Sequence, residues 1–184
     1  MAALVAAALA QTGERTPWLA AILADRYDRR AAVLLAAFLA LAVNYALASV
    51  AGMIAAPILT PNAKLLLLAL ALLIAAGSMA FAPKPTERLG GWRLGAFPTA
   101  ALGLFILAFG DTTQFIAAAL AARSPVPWLA AVGATLGAMA VVASAAVLGE
   151  AAYRKLPLTA LRRSAAAVLL VAGAVLGLSA LRLI

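Results

Sequence analysis

Two acidic side chains stand inside long apolar segments, and each directly follows a glycine. The first segment reads Gln11-Thr12-Gly13-Glu14-Arg15-Thr16, and the second reads Ala108-Phe109-Gly110-Asp111-Thr112-Thr113-Gln114. A charged side chain at the centre of a bilayer costs about 2.5–3.5 kcal/mol, so such residues usually serve a function. We therefore expect Glu14 and Asp111 to form one paired polar site inside a membrane.

Oxygen atoms dominate both segments, and this limits the chemistry. The candidate ligands are two carboxylates and four neutral side chains: Glu14, Asp111, Gln11, Gln114, Thr16 and Thr113. Hard divalent cations such as Ca²⁺ and Mn²⁺ prefer carboxylate, amide and carbonyl oxygens. The chain has no cysteine and no histidine, which excludes thiolate and imidazole metal sites. Protons and a cation would compete for the same carboxylates.

The spacing of the polar residues predicts their local geometry. Gln11 lies three residues before Glu14, and Gln114 lies three residues after Asp111, so each pair is expected to share a helix face. Pro17, which has no backbone N–H, follows the first segment and favours a helix break there.

The glycines and the neighbouring arginine complete the expected site. Gly13 and Gly110 allow close backbone approach and favour breaks that free carbonyl groups. Arg15 has no acceptor atom, so we expect it to tune the charge of the site. In the alternative interpretation, Arg15 forms a structural ion pair with an acid and the threonines bond only to backbone carbonyls. Asn44 is expected to form a helix–helix hydrogen bond.

The elements that must hold these residues are membrane-spanning helices. Hydrophobic residues make up 67% of the 184 and charged residues 11%, and the mean hydropathy is +1.09. A soluble domain carries about twice that charge. With about 20 residues needed for each crossing, six spans are predicted at about 1–24, 32–55, 64–82, 96–122, 127–149 and 164–183. Turn signals such as Pro83-Lys84-Pro85 separate them.

The distribution of positive charge predicts the orientation. Loops after the odd-numbered spans carry ten of the 14 basic residues: Arg26, Arg29, Arg30, Lys84, Arg88, Arg93, Arg154, Lys155, Arg162 and Arg163. The opposite side carries only Lys64, Arg123 and Arg182. The loops after the odd-numbered spans should therefore face the cytoplasm, with both termini outside. The net charge of +8 is thereby explained without a nucleic-acid partner.

The N-terminal residues allow two interpretations. Ala8-Leu9-Ala10 resembles a signal-peptidase site, which would make the segment a cleaved leader. No positive residue precedes this short apolar run, and the chain becomes apolar again after Thr16. We therefore expect an uncleaved first helix with a polar centre.

The chain contains an internal repeat with a constant spacing of 97 residues. At this spacing Gly13 matches Gly110, Thr16 matches Thr113 and Gly52 matches Gly149. Three spans form each unit, so the second unit should enter the membrane inverted, as in many secondary transporters with a site at the midplane. The fold class is therefore predicted as all-α, with six transmembrane helices in two inverted three-helix repeats. The units are 1–82 and 96–184, joined by a cytoplasmic loop at 83–95.

With both motifs and this layout, the chain resembles the GDT-type calcium/manganese–proton exchangers, the family of transmembrane protein 165-like membrane proteins. Their signature, Glu-x-Gly-Asp-(Lys/Arg)-(Ser/Thr), occurs once in each three-span repeat. Here Gln11 and Ala108 stand where the family has glutamate, Glu14 stands where it has aspartate, and Thr112 replaces the basic residue. The site keeps two acids and one base, so the resemblance implies weaker divalent binding or a changed ion.

The resemblance implies a secondary-active transporter that exchanges a Mn²⁺- or Ca²⁺-class cation for protons. The alternatives are a non-transporting membrane protein with a degraded ion site, or a transporter of another solute on the same scaffold. No nucleophile–base pair, phosphate loop or cofactor motif is visible, so we expect neither an enzyme nor a resident cofactor. The expected partners are the lipid bilayer, the cation and protons. The alanine-rich, compact chain with short loops favours a bacterial inner membrane, and the sequence leaves the oligomeric state open.

Overall fold

The computed structural model describes residues 1–81 and 86–183, where all regular secondary structure is α-helical. The helices are α1 (Ala2–Gln11), α2 (Thr16–Tyr27), α3 (Arg30–Ala55), α4 (Pro61–Ser78), α5 (Ala96–Ala108), α6 (Thr112–Arg123), α7 (Trp128–Tyr153) and α8 (Leu158–Ala180). The Pro83-Lys84-Pro85 turn, and with it the place of Lys84 in the charge count, lies outside the described residues.

Four of these helices, α3, α4, α7 and α8, are long and apolar enough to cross a membrane. Helices α5 and α6 would form a fifth span with a bend of 68° between them. The all-helical membrane class is thus confirmed. The predicted span over 1–24 is divided into α1 and α2 at the break that Gly13 and Pro17 predict, and each of the two helices is too short to cross alone. Helix α8 begins at Leu158, before the predicted start of the last span at 164, and includes two arginines in its first turns.

Small residues let the helices approach closely. A Cβ atom at Gly133 would lie 3.0 Å from the Cβ of Ala3, so α7 and α1 are in direct contact. A Cβ atom at Gly173 would lie 2.9 Å from Leu73 Cγ, so α8 and α4 also pack closely. These glycines therefore allow close helix packing, and α1 is an integral part of the bundle.

The second half of the molecule reproduces the helix order and most of the packing of the first. The starts of α4 and α8, Pro61 and Leu158, are 97 residues apart. Helix α1 packs along α7 as α5 packs along α3, and α2 packs on α7 as α6 packs on α3. Helices α3 and α7 contact each other, as do α4 and α8. Each break therefore lies at an equivalent place in its half.

Polar contacts gather three loops at one end of the bundle. The guanidinium of Arg26, at the end of α2, donates to the Leu89 carbonyl at 2.7 Å and to the Trp92 carbonyl at 3.2 Å. Arg88 pairs with Glu150 of α7 at 2.6 Å. The end of α2, the segment before α5 and the end of α7 thus meet.

Candidate functional site

Both acid-bearing segments interrupt a helix, as the glycines and Pro17 predict. Helix α1 ends at Gln11 and α2 begins at Thr16. Helix α5 ends at Ala108 and α6 begins at Thr112. Each break brings the carbonyl end of one helix and the amide end of the next to the same region. Such paired ends favour cations near the carbonyls and carboxylates near the amides.

The first break remains tightly wound. The amides of Thr12, Gly13 and Glu14 donate to carbonyls three residues back, at 3.2, 3.0 and 3.2 Å. A Cβ atom at Gly13 would lie 2.6 Å from Cγ of Met79, the residue after α4. Glycine is needed here because a neighbouring side chain comes so close.

The second break is extended and holds its own shape. Gly110 has φ +79°, a conformation that side chains other than glycine rarely adopt. Asp111 is extended with ψ 166°, and its carboxylate Oδ1 accepts the Gln114 N–H at 2.7 Å. This N-cap bond satisfies a free amide in the first turn of α6.

Thr112 connects the two breaks directly. Its hydroxyl donates to Glu14 Oε1 at 2.5 Å, and its backbone N–H donates to the same oxygen at 3.2 Å. The carboxylate of the first break is therefore held by the residue next to Asp111. Thr112 was not among the expected ligands. Its place in the motif, directly after the second acid, was the available signal.

Gln11 makes a second connection between the halves. Its Oε1 accepts hydrogen bonds from the Thr113 hydroxyl at 3.2 Å and the Tyr45 hydroxyl at 3.4 Å. All three side chains are fully buried. The expected shared helix face of Gln11 and Glu14 is wrong, because Gln11 ends α1 while Glu14 lies in the following turn. Tyr45 of α3 was not predicted from the sequence, because a single tyrosine in an apolar span belongs to no recognisable motif.

Gln114 joins the second break to α3. Its Oε1 accepts the Gly110 N–H at 2.6 Å, and its Nε2 donates to the Asn44 carbonyl at 3.2 Å. Asn44 in turn donates to the Phe105 carbonyl of α5 at 3.1 Å. The expected helix–helix hydrogen bond of Asn44 is confirmed, and the same residue contacts a candidate ligand.

The remaining candidate residues flank this network. Thr16 is buried at the start of α2. Among the described residues, the ion pairs join Glu150 to Arg88 and to Arg154, and neither involves Arg15. Arg15 thus forms no ion pair with Glu14 or Asp111 in the described part of the chain, and its role in tuning the site stays a prediction.

Two buried polar atoms in the network have no hydrogen-bond partner: Gln11 Nε2 and Asp111 Oδ2. An unpaired buried polar atom costs about 1–3 kcal/mol, so it usually marks a place where water or an ion binds. The described residues contain no group of three or more His, Cys, Asp or Glu side chains that could hold a metal. A cation here would be bound by two carboxylates, neutral oxygens and water.

Comparison with known proteins gives independent evidence about the family. The sequence profile of the family described as "Divalent cation/proton antiporter GDT1" matches residues 1–87 and 96–183. A Vibrio cholerae protein named "Putative manganese exporter" is 30% identical over 165 residues, which cover 89% of this chain and 82% of that protein. No solved structure gives a significant match.

Proposed function

The chain belongs to the GDT1 family of divalent cation/proton antiporters, and on that premise we propose that its cation binds between the two helix breaks. The family expected from the paired motifs is thereby confirmed. The proposed site consists of Glu14 and Asp111, supported by the neutral oxygens of Gln11, Gln114, Thr16 and Thr113. Arg15, Gly13 and Gly110 tune its charge and shape.

One observation supports this proposal: the acid of the first half is hydrogen-bonded to the break of the second half. Glu14 accepts both hydrogen bonds of Thr112, and Asp111 is the adjacent residue. A cation that binds the free Oδ2 of Asp111 would therefore lie beside residues that hold Glu14. Protonation of either carboxylate removes charge that the cation needs, which couples its release to proton binding.

The membrane arrangement that we propose has six crossings in two inverted three-helix repeats. In this arrangement α1 with α2, and α5 with α6, each cross once as a broken helix, and the site lies at the midplane. The contacts of Arg26 and of Glu150 support it, because they gather three basic segments at one end of the bundle. Positive charge favours the cytoplasmic side, which places both termini outside. The cell membrane, in bacteria the inner membrane, is the proposed location.

The oxygen-only site favours a hard divalent cation of the Mn²⁺ or Ca²⁺ class. The relative from Vibrio cholerae carries manganese in its name, so Mn²⁺ is the first cargo to test. The site has a net charge of −1 from two acids and Arg15. This low charge favours a weakly held and partly hydrated cation that exchanges readily.

The experiment is Mn²⁺-driven proton movement in proteoliposomes, read with a trapped pH dye. In the wild-type protein, an inward Mn²⁺ gradient should alkalinise the lumen and an outward gradient should acidify it, because protons move opposite to the cation. Ca²⁺ should be tested in parallel. Glu14→Gln and Asp111→Asn should each lower the flux by at least about tenfold, equivalent to about 1.4 kcal/mol. Both substitutions preserve size, and asparagine preserves the cap of α6.

The matched control is Asp28→Asn, which removes an acid from an exposed position at the end of α2. Asparagine tolerates the left-handed conformation there, φ 47°, so folding and flux should be unchanged. Unaltered flux in both site variants would overturn the proposed site. No cation-coupled flux in the wild-type protein would instead favour the non-transporting scaffold, and flux of a different solute would favour the other-solute transporter.

A further inference from the structure

The two halves of the bundle match closely except in the surroundings of α4 and α8. In the proposed arrangement, α1 and α6 occupy the outer half of the membrane, whereas α2 and α5 occupy the cytoplasmic half. A strictly symmetric molecule would pack the α4–α8 pair equally against both halves. Unequal packing therefore indicates on which side, outer or cytoplasmic, the α4–α8 pair covers the proposed site.

The observed packing is one-sided. Helix α4 packs along α6, and α8 packs against α1. Within the described part of the chain, the equivalent contacts of α8 with α2, and of α4 with α5, are not formed to any comparable extent. Both differences have the same sense: the α4–α8 pair lies against the two outer half-helices and stands away from the two cytoplasmic ones.

The glycines at the breaks show the same asymmetry at closer range. Met79 lies so near Gly13 that a Cβ atom there would be 2.6 Å from its Cγ. The equivalent residue of α8 is Leu176, yet a Cβ atom at Gly110 would meet nothing within 4 Å. Accordingly Ile106 of α5 is 62% exposed, whereas its counterpart Leu9 of α1 is partly buried.

A cavity of about 610 Å³ lies on the uncovered side, between the start of α2 and the start of α8. Glu14 and Thr12 of the first break line it, together with Trp18 of α2 and Thr159 of α8. Arg162 and two further arginines complete the wall. A carboxylate of the proposed cation site is thus reachable from the end of the bundle that carries the basic loops.

From these three observations we infer that the cavity between α2 and α8 is the cytoplasmic access path of the cation. The contacts of α4 with α6, and of α8 with α1, form the closed gate on the outer side. This inference rests on the proposed function and on its inverted arrangement. The opposite state follows from the pseudo-twofold relation: the α4–α8 pair leaves α6 and α1 and packs against α2 and α5.

The residues needed for the opposite state are already present. Ile116 of α6 lies in the apolar cluster with Leu72 of α4. The residues 97 positions away are Leu19 of α2 and Leu169 of α8, a pair of equal size and polarity. The two gates would therefore bring apolar pairs of similar size together at equivalent places in the two halves.

The test uses paired cysteines, which the natural chain permits because it contains none. Leu72→Cys with Ile116→Cys should be joined by a short bis-maleimide in resting vesicles and should then lose exchange by at least about tenfold. The matched pair, Leu19→Cys with Leu169→Cys, should be joined slowly at rest and faster during Mn²⁺ turnover. A single Thr12→Cys should react with a membrane-impermeant maleimide from the cytoplasmic side only, before and after the outer pair is joined.

Equal joining of both pairs at rest, or labelling of Thr12→Cys from the outer side, would overturn the inference. These readouts at rest need no transported ion, so they remain informative if the proposed function fails. That failure would appear instead as absent cation-coupled proton flux in the wild-type protein. A gel-filtration profile unchanged from wild type shows that each variant is folded.

Discussion

The two helix breaks carry the same residue pattern but hold it by different means. The first break keeps a tight wound backbone, and its glycine is required because Met79 covers it. The second break is extended, and its glycine is required by its own φ of +79°. What the breaks share is an acid placed directly after the glycine. The comparison teaches that the position of the carboxylate, rather than one backbone shape, is what both halves preserve.

The acids themselves also differ in their local role. Asp111 caps α6 with one carboxylate oxygen, while its other oxygen has no hydrogen-bond partner and is the proposed cation ligand. Glu14 caps no helix and reaches across to Thr112 instead. The shorter acid, Asp111, therefore lies in the break that supplies its own helix cap. The longer acid, Glu14, lies in the break whose carboxylate is held by Thr112 of the other half.

Exchanging the lengths of the two acids tests this division and should give the largest effect. Asp111→Glu should lower cation-coupled proton flux by about a hundredfold, or about 2.7 kcal/mol, because it disturbs the cap and the ligand together. Glu14→Asp should cost about tenfold, since the shorter chain reaches Thr112 less well. Proteoliposome flux gives both values. Equal losses in the two variants would contradict the division of roles.

Adding one methyl group at each glycine distinguishes the two sources of constraint. Gly110→Ala should destabilise the protein by about 1–2 kcal/mol, because φ is positive there. Gly13→Ala should cost a similar amount, about 1–3 kcal/mol, through overpacking against Met79. Thermal unfolding in detergent measures both. Met79→Ala is itself destabilising because it removes a buried side chain, but in that background Gly13→Ala should cost much less than in the wild type, whereas the cost of Gly110→Ala should not change. A smaller cost for both would show that the breaks share one constraint.

Introducing a third acid should have opposite results at the two breaks. In Gln11→Glu the hydroxyls of Thr113 and Tyr45 can donate to the new carboxylate, so Mn²⁺ should bind about tenfold more tightly, or about 1.4 kcal/mol. In Gln114→Glu the new side chain cannot donate to the Asn44 carbonyl, so binding should not improve and stability should fall. Calorimetric titration with Mn²⁺ separates them. Tighter binding in both variants would contradict the hydrogen-bond assignment.

The smallest expected effect concerns the arginines around the cavity. Arg163→Gln should raise the rate of Mn²⁺ uptake from the cytoplasmic side by about twofold to threefold at low salt, because it removes a repelling charge. The gain should vanish at about 1 M salt, where the screening length is about 3 Å. The control is Arg29→Gln, an exposed residue at the start of α3 that does not line the cavity. An equal gain from the control would assign the effect to the general surface charge.

Sequence reasoning identified the helical membrane class, the two breaks and the acids, because each has a local cause. Glycine, Pro17 and an acid inside an apolar run act through the backbone and solvation of their own segment. The contacts of Gln11 were not predictable in this way. They depend on the crossing of α1, α3 and α6, which no residue spacing within a single helix encodes.

Two structural details show why the rest could not be foreseen. The one-sided packing of α4 and α8 departs from the symmetry of the repeat, and the hydropathy of the two helices gives no sign of this departure. Thr112 lies where the family resemblance suggested a basic residue, so its double hydrogen bond to Glu14 depends on the register between the halves. Neither feature leaves a periodic signal in the sequence.

The hold of Arg26 on the connecting segment has a consequence for assembly. Its guanidinium binds carbonyls of residues 62 to 66 positions later in the chain. Because the donor lies in the first half and the acceptors lie in the segment before α5, these bonds can form only once the two segments meet. The end of α2 therefore helps to fix the backbone of residues 88–92, directly before the second half begins.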